Sequence, residues 1–243
     1  MNFSLSGMKI IQWNCNMAFR KKNEKIIALN PDIIVVCECE NKEKLKFGSL
    51  TPTPNDFFWY GNNEHKGVGI FSYSDYKFEL IEEFNNEFRY VIPLKVSNQN
   101  EDFYLFAIWA MDNKENNNTR YIAQVWLAIN HYSELLDEPI ILVGDFNSNQ
   151  IWDKDKRIAS HTDVVKLLSA KNIESLYHKI NSENQGQETQ PTFFLHRNRE
   201  KSYHIDYCFV SEKFWTKDFT VKIGNFDEWI KLSDHLPIEI EFK

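Results

Sequence analysis

Cysteine is scarce in this sequence, and the few cysteines present suit neither a disulfide framework nor a zinc site. The chain has four, and Cys37 and Cys39 are too close together to pair easily in an extended strand. No two cysteines are separated by two residues, as they are in zinc-binding motifs. We therefore predict reduced, buried thiols in a reducing compartment.

Long apolar runs are also missing. No stretch approaches the roughly 18 consecutive apolar residues of a transmembrane helix. Residues 1–7 lack the charged start and apolar core of a signal peptide. The sequence therefore predicts a cytoplasmic protein without a membrane partner, and nothing in it indicates an obligate protein partner.

An excess of positive charge is the third absence. The formal net charge is −7, so the chain as a whole gains little attraction to a polyphosphate backbone. A nucleic-acid substrate would need a local basic rim or a metal ion that offsets the negative charge. The length of 243 residues fits one domain, 1–243, and the polar segments 113–119 and 181–190 are predicted to be surface loops rather than linkers.

Apolar segments with strand-like patterns recur along the whole chain. Helical periodicity is limited to 23–29, 121–136 and 162–168. Continuous apolar runs such as 33–36 and 140–143 are typical of strands buried on both faces. Together these patterns predict two packed sheets with helices outside, with strands at 9–14, 33–36, 67–72, 88–96, 103–109, 140–143, 204–210 and 236–242.

Polar residues of the kind that bind metal ions or phosphates lie at the ends of these apolar strands. Any one of them alone has a simpler explanation, such as turn formation at Asp145 and Asn147. Carboxylates and amides without cysteine suit a hard cation, Mg²⁺ or Mn²⁺. Their recurrence at successive strand ends indicates one shared site, formed by Asn14, Asn16, Glu38, Asp145, Asn147, Asp206, Asp234 and His235.

The motifs that contain these residues resemble the endonuclease–exonuclease–phosphatase superfamily, which includes exonuclease III-like and DNase I-like nucleases. They occur in family order across residues 9–242. The resemblance implies an α/β fold, a four-layered α/β sandwich of two packed, mostly antiparallel sheets flanked by helices. The carrying segments are Trp13-Asn14-Cys15-Asn16, Pro31-Asp32-Ile33-Ile34 through Glu38, Gly67-Val68-Gly69-Ile70, Gly144-Asp145-Phe146-Asn147, Ile205-Asp206-Tyr207 and Ser233-Asp234-His235-Leu236-Pro237.

The resemblance also implies roles for these residues. Glu38, Asn16 and Asp234 match metal-site positions, although Asn16 is an aspartate in some relatives. Asp145 matches the residue that positions or deprotonates water, or assists the leaving group. The remaining catalytic positions are matched by Asn147, which steadies phosphate or water, by His235, which binds phosphate, by Asp206, which orients that histidine, and by Asn14.

Candidate substrate-binding residues lie outside these motifs. Trp109 stands where nuclease relatives often have a tyrosine and several phosphatase branches a histidine, and it is either a substrate contact or strand packing. Arg120 is either a phosphate contact or a solvated helix start. Phe193, in a Thr-Phe-aromatic loop, and Arg197 and Arg199, in the basic segment 196–201, are the candidate rim for a polyanion.

The function that these motifs predict is metal-dependent hydrolysis of phosphodiester bonds in DNA or RNA. Two alternatives stay open: a phosphatase or phosphodiesterase acting on a small or lipid-linked phosphate, and a catalytically silent binding module on the same fold. The acid–histidine pair of Asp206 and His235 argues against the silent module, because binding alone does not require it.

Overall fold

The computed structural model describes residues 7–153, 157–215 and 218–243. Its helices are short. None of those that these residues form is long and apolar enough to cross a membrane. The helices are α1 (Asn23–Ile27), α2 (Lys42–Leu45), α3 (Ile122–His131), α4 (His161–Ala170), α5 (Leu176–Asn181) and α6 (Phe226–Trp229).

The strands of the described residues form two six-stranded sheets and a separate two-stranded hairpin. Their bounds are β1 (Met8–Asn14), β2 (Ile33–Cys39), β3 (Asp56–Asn63), β4 (Lys66–Ser72), β5 (Lys77–Leu80), β6 (Val91–Ser97), β7 (Asp102–Trp109), β8 (Ile140–Asp145), β9 (Ile173–Ser175), β10 (Phe193–Phe194), β11 (Ser202–Tyr203), β12 (Asp206–Ser211), β13 (Phe219–Ile223) and β14 (Ile238–Phe242).

Most neighbouring strands run antiparallel. The first sheet has the order β13-β14-β1-β2-β4-β3 and the second β5-β6-β7-β8-β12-β9, and β10 and β11 form the hairpin. Parallel pairing joins β1 to β2 and β7 to β8. The two mostly antiparallel sheets that the motifs predicted are therefore confirmed.

Three apolar layers explain why the central strands have continuous apolar sequences. In β8, Ile141 and Val143 belong to the core between the two sheets, whereas Ile140 and Leu142 pack with α3 and α4 residues on the outer face. In β1, Ile10 faces the central core and Ile11 packs on the opposite face with residues of α1 and α6. Successive side chains of a strand point to opposite faces, so a strand covered on both faces is apolar throughout. The four-layered sandwich is confirmed.

The sequence analysis omitted six strands: the two short strands of the hairpin, β10 and β11, and the four edge strands of the large sheets. The first sheet ends in β13 and β3, and the second in β5 and β9. The residues of β3, β5 and β13 are at most half-buried, and β9 has only three residues. The aromatic run of β3, Phe57 to Tyr60, was a strand signal that the sequence analysis missed, whereas β5, β9 and β13 have no long apolar run from which they could be predicted.

Most predicted elements differ from the structure by a few residues at their ends, and the helix at 121–136 and the strand at 88–96 are two examples. The helix predicted at 121–136 is α3 followed by a 3-10 helix, Ser133–Asp137. Between them Tyr132 leaves helical geometry, and its hydroxyl accepts a hydrogen bond from the Asn85 backbone N–H at 2.8 Å. The strand predicted at 88–96 begins only at Val91.

Candidate active site

The parallel strands and their antiparallel neighbours bring polar residues to one edge of the sandwich. Asp145, the last residue of β8, pairs in register with Asp206, the first residue of β12, and with Trp109, the last residue of β7. Asn14, at the end of β1, pairs in register with Cys37 of the parallel strand β2. The residues predicted from separate strand ends therefore lie along the same edge.

Asp145 is held by amide donors at this edge. Its carboxylate is 1% exposed and accepts hydrogen bonds from Asn14 Nδ2 at 3.0 Å and Asn147 Nδ2 at 3.1 Å. The backbone N–H of Asn147 donates to its other oxygen at 2.9 Å. Gly144, just before Asp145, allows β8 to lie close to β7. A Cβ at position 144 would lie 1.8 Å from the Ile108 carbonyl oxygen, and the φ of Gly144 is +151°.

Asn147 links the loop after β8 to the end of β7. Its φ is +47°, a left-handed conformation that asparagine tolerates better than most residues. The Asn147 Nδ2 also donates to the Ala110 carbonyl oxygen at 3.0 Å. The same side chain therefore fixes both the Asp145 carboxylate and the segment that follows β7.

Asp206 and His235 form a buried pair. His235 Nδ1 lies 2.9 Å from Asp206 Oδ2, and His235 Nε2 lies 3.9 Å from Asp145 Oδ2. Gln12 Nε2 and Thr192 Oγ1 donate to the Asp206 carboxylate at 2.9 and 2.7 Å. Because Asp206 is held on several sides, the imidazole it binds has a fixed orientation, with its second nitrogen directed toward the Asp145 side of the site.

The backbone around His235 is anchored as well. Ser233 Oγ donates to the Asn14 carbonyl oxygen at 2.7 Å and accepts from the His235 N–H at 3.1 Å. The Trp13 indole N–H donates to the His235 carbonyl oxygen at 3.0 Å. These bonds join the segment before β14 to the end of β1.

Burial and neighbouring charges shift the pKa values of both groups that face each other. Burial raises the pKa of Asp145 to about 7, although the nearby His235 opposes this shift. Burial by itself would lower the pKa of His235, but the carboxylates of Asp206 and Asp145 outweigh it and raise that pKa to about 9. At neutral pH the His235 ring is therefore a cation.

Glu38 lies at an irregularity in β2. The pairing of β2 with β4 shifts register between Cys37 and Cys39, and Glu38 between them has φ +61°. The Glu38 side chain is 19% exposed, with Oε2 3.4 Å from Lys66 Nζ. Its Oε1 lies 3.5 Å from Asn14 Nδ2, so Asn14 stands between Glu38 and Asp145.

Asn16 and Asp234 lie on the other side of Asn14. Asn16 Nδ2 donates to Asp234 Oδ1 at 2.8 Å, and the Asn16 N–H donates to Asn14 Oδ1 at 3.1 Å. The Asp234 carbonyl oxygen accepts from the Phe194 N–H at 2.8 Å. All eight residues predicted at strand ends are thus connected through short contacts.

The donor set at this edge suits a hard divalent cation. Its charged and amide ligand atoms are oxygens. The four cysteines, all of which the structure describes, are buried and free as predicted, and burial raises the pKa of every one of these thiols. The Lys66 ammonium lies 3.4 Å from one Glu38 oxygen, a contact that a bound divalent ion would replace.

A second group of described residues also has the chemistry to hold a metal ion. The ligand atoms of Asp145, Asp206 and His235 lie within 4.8 Å of one another. However, the Asp206 oxygens already accept hydrogen bonds from Gln12, Thr192 and the imidazole. A cation there would displace those donors, which lie 2.7 to 2.9 Å from a fully buried carboxylate. Glu38 is partly exposed, and its contacts with Lys66 and Asn14 are longer, at 3.4 and 3.5 Å, so Glu38 fits the ion better.

Trp109 is packed inside the protein rather than displayed at the edge. It is 3% exposed, and its ring stacks on Tyr90 at a centroid distance of 5.4 Å. Lys66 Nζ lies 5.0 Å from the Trp109 ring centroid. Little of the indole surface is left for a substrate, and the ring instead supports the Lys66 ammonium.

Arg120 lies just before α3, beside a tyrosine. Its guanidinium is 5.9 Å from the Tyr121 ring centroid, and that of Arg157 is 5.3 Å from the same centroid. Both arginines are half-buried. Arg120 is therefore packed against a ring. It is not the solvated helix start that was one of its two interpretations from sequence.

The hairpin of β10 and β11 presents one of its two phenylalanines to the site. The Phe193 ring lies 4.6 Å from the His235 ring and is half-buried. Phe194 is buried and packs against Phe226. Only Phe193 is placed where a substrate base can meet it.

The basic segment 196–201 is the exposed tip of this hairpin. Arg197 Nη1 donates to the Lys231 carbonyl oxygen at 3.4 Å. Arg199 pairs with the Asp227 carboxylate, and its guanidinium lies 4.1 Å from the Phe226 ring centroid. Both arginines are exposed, but Arg199 has an acidic partner that lowers its net attraction for a polyanion.

Two residues of the site were missed by the sequence analysis. Gln12 lies in the middle of β1 and binds Asp206; its signal was a polar side chain inside an otherwise apolar run. Lys66 opens β4 and reaches Glu38. Nothing local distinguishes Lys66 from other surface lysines, because its contact depends on the pairing of β2 with β4.

Solved structures share this fold over almost their whole length. Truncated TDP2 from Caenorhabditis elegans is 15% identical, with a TM-score of 0.67 and 99% of each chain covered. TDP2 from D. rerio, complexed with a single strand DNA product, is 18% identical, with a TM-score of 0.66, covering 98% of this chain and 99% of that one. The 3'-5' exonuclease NExo from Neisseria meningitidis is 19% identical, with a TM-score of 0.63, covering 97% of this chain and all of that one (100%).

Among curated proteins, none matches this sequence significantly. The model of the Endonuclease/Exonuclease/phosphatase family matches residues 11–235. That range includes every predicted catalytic and metal-site residue and confirms the resemblance inferred from the motifs. This chain therefore belongs to the endonuclease/exonuclease/phosphatase family.

Proposed function

We propose that this protein is a metal-dependent nuclease that hydrolyses phosphodiester bonds in DNA or RNA. The observation that carries the proposal is the His235 ring, bound by Asp206 at 2.9 Å and facing Asp145 at 3.9 Å. A fixed cation opposite a fixed carboxylate matches the needs of phosphoryl transfer, in which an anionic oxygen and an attacking water must be held together.

The proposed reaction assigns one task to each of these side chains. Asp145 orients a water molecule and accepts its proton as the water oxygen bonds to phosphorus and the P–O bond to the ester oxygen breaks. The departing oxygen takes a proton from solvent to leave as an alcohol. Asn14 and Asn147 keep the Asp145 carboxylate in place. His235 contacts a phosphate oxygen, and its charge is maintained by Asp206.

Mg²⁺, or Mn²⁺ in its place, is the cofactor that we propose. Glu38 would hold it, with Asn14, Asn16 and Asp234 as the neighbouring oxygen donors. A bound divalent ion polarises the phosphoryl oxygen and offsets negative charge. The chain's net charge of −7 makes such an offset important for any anionic substrate.

A polynucleotide fits this edge better than a small phosphate does. Phe193 beside His235 offers a ring for base stacking, and the exposed tip with Arg197 and Arg199 extends the contact surface away from the reacting group. In the similar structures, D. rerio TDP2 is bound to a single strand DNA product and NExo is a 3'-5' exonuclease. Arg120, with Arg157 on the same tyrosine, is a further phosphate contact in this proposal.

The substrate assignment is tested by comparing catalytic efficiency, with Mg²⁺, on short oligonucleotides, inositol phosphates and mononucleotides. We expect oligonucleotides to be the best substrates. Better turnover of a small phosphate would instead make the protein a phosphatase of the same family. No turnover of any phosphoester in the panel would favour the silent binding module.

Replacing Arg197 and Arg199 by Ala should weaken oligonucleotide binding and reduce its salt dependence. Each phosphate contact that is lost should change the slope of log K against log salt by roughly 0.7 to 0.9. The effect of Arg199 should be the smaller, because Asp227 already pairs with it. Binding measured between low and moderate salt gives the slope directly.

Lys171→Ala is the matched control for that experiment. Like Arg199, Lys171 is a cation paired with an aspartate, Asp137 at 2.7 Å, but it lies near the start of β8 rather than its end. An unchanged slope in the arginine variants, or an equal change in Lys171→Ala, would show that the hairpin tip does not contact the substrate.

Asp206 and His235 should behave as one unit in a mutant cycle. We expect Asp206→Asn and His235→Gln to lower turnover by similar factors, and the double variant to lose no more than about either single change. The reason is that the carboxylate acts only through the imidazole that it binds. If the double variant instead loses steady-state turnover by the product of the two single factors, the two side chains act separately.

A further inference from the structure

The polar segment 181–190, predicted to be a surface loop, directs one carboxylate into the protein. Its residues are exposed or half-buried as a whole, but the Glu188 side chain is only 4% exposed. The Glu188 carboxylate accepts hydrogen bonds from the Gly186 N–H at 2.9 Å and from Asn149 Nδ2 at 3.0 Å, and it lies 3.0 Å from His178 Nε2. Burial alone would raise the pKa of Glu188, but these hydrogen bonds outweigh it and lower that pKa to about 2. The loop therefore holds an ionised carboxylate against Asn149.

Asn149 extends this contact to the strands that carry the reacting acids. It lies in the loop after β8 and is 2% exposed. Besides Glu188, its Nδ2 donates to the His204 carbonyl oxygen at 2.9 Å, two residues before Asp206. Its Oδ1 accepts from the Ile151 N–H at 3.0 Å. The amide therefore ties the loop after β8 to the segment that enters β12.

This link lies just beyond the point at which the two strands stop pairing. β8 and β12 pair in register as far as Asp145 and Asp206, and the Phe146 N–H donates to the Ile205 carbonyl oxygen at 3.0 Å. Past that bond the two segments have no further backbone pairing. The separation of the two acids at this end depends on what joins the segments next, and Asn149 is the side chain that does so.

The Tyr207 hydroxyl cannot replace the Asn149 amide in this role. It lies 2.8 Å from the His204 carbonyl oxygen and 3.1 Å from the Ser148 carbonyl oxygen, but a hydroxyl has one proton and donates to one of them at a time. The amide has two N–H groups, which serve Glu188 and His204 together. Because both of these partners only accept hydrogen bonds, they also fix which end of the amide faces them.

We propose that Asn149, held in place by Glu188, is a positioning residue that fixes the separation between Asp145 and the Asp206–His235 pair. His235 Nε2 and Asp145 Oδ2 lie 3.9 Å apart, and they are carried by segments that Asn149 joins. Misplacing a reacting group by about 1 Å lowers a rate by roughly 10²-fold. This inference rests on the proposed hydrolysis and adds two residues that act on its geometry through other side chains.

Kinetics on a short oligonucleotide test the proposal. Asn149→Ala should lower kcat by about 10 to 100-fold and leave KM within about twofold, because the reacting groups shift while the substrate contacts remain. Glu188→Ala should have the same kind of effect, and Glu188→Gln, which keeps an oxygen for the Asn149 amide, should recover most of that loss. The double variant with Ala at both positions should lose no more than the larger single loss, since Glu188 acts through Asn149.

Glu101→Ala is the matched control for Glu188→Ala. Glu101 is also buried, at 7% exposed, and accepts a hydrogen bond from the Tyr76 hydroxyl, but it lies just before β7, at the opposite end of that strand from Trp109. Both variants should unfold at lower temperature than the wild type, whereas only Glu188→Ala should lose kcat. Wild-type kcat in Asn149→Ala, a raised KM with unchanged kcat, or single losses that multiply in the double variant would each overturn the positioning role.

Crystal structures of the wild type and of Asn149→Ala in the same crystal form test the geometry without turnover. The separation of His235 Nε2 and Asp145 Oδ2 should be larger in the variant, and an equal separation in both would contradict the proposal. A wild-type protein that turns over no phosphoester would contradict the proposed function instead, so the two failures are distinguishable.

Discussion

Replacing Glu38 by Gln should nearly abolish phosphodiester hydrolysis, and EDTA should do the same to the wild-type protein. Glu38 is a carboxylate at the end of a strand buried on both faces, with a lysine ammonium 3.4 Å from one of its oxygens. The carboxylate is partly exposed and its oxygens suit a hard divalent cation, which would replace the lysine contact. Removing its charge should weaken binding of the divalent ion, which titration calorimetry with Mn²⁺ measures independently of turnover.

Glu239→Gln is the matched control. The Glu239 side chain is also 19% exposed and pairs with a lysine, Lys9, at 3.1 Å, but it lies in β14 away from the candidate site. This variant should keep both metal binding and activity. Full activity in EDTA, or in Glu38→Gln, would show that Glu38 does not hold a catalytic metal ion. Metal binding retained in Glu38→Gln would instead indicate a site at Asp145, Asp206 and His235.

The central strands were predictable from sequence because both of their faces are covered. Ile140 to Val143 alternate between the central core and the outer one, so the whole segment is apolar and stands out. The edge strand β5 alternates in burial over only four residues, and β13 does not alternate; neither contains a long apolar run. Their positions follow from pairing with inner neighbours, which local sequence does not specify.

The residues of the candidate site likewise fall into those that local sequence predicts and those that depend on strand pairing. Asn14, Glu38 and Asp145 were found because each closes or follows an apolar strand. Lys66 was not, because its contact with Glu38 arises from the pairing of β2 with β4. Sequence also did not show that Phe193 lies beside His235 and Phe194 in the core, because the β-bridge between Phe193 and His235 joins distant parts of the chain.

Asp145→Asn should lower turnover on the order of 10² to 10⁴-fold, the contribution of a positioned acid–base group. Asparagine keeps the size of the side chain but cannot take up a proton. Burial holds the pKa of Asp145 near the middle of the physiological range, at about 7, where a group is well matched to exchange a proton with water. Substrate binding should weaken far less, because His235 and the hairpin remain.

Single-turnover cleavage of saturating labelled oligonucleotide separates the two effects, with binding followed by fluorescence anisotropy. Asp153→Asn is the control, because the Asp153 carboxylate also accepts three hydrogen bonds, although from different donors: the backbone N–H groups of His161 and Thr162 and the Thr162 hydroxyl. Both variants should lose some stability through a misplaced amide donor, but only Asp145→Asn should lose turnover of bound substrate. If binding collapses in Asp145→Asn while bound substrate is still cleaved at the wild-type rate, Asp145 contributes affinity or structure, and the proton must be accepted by another group at this edge.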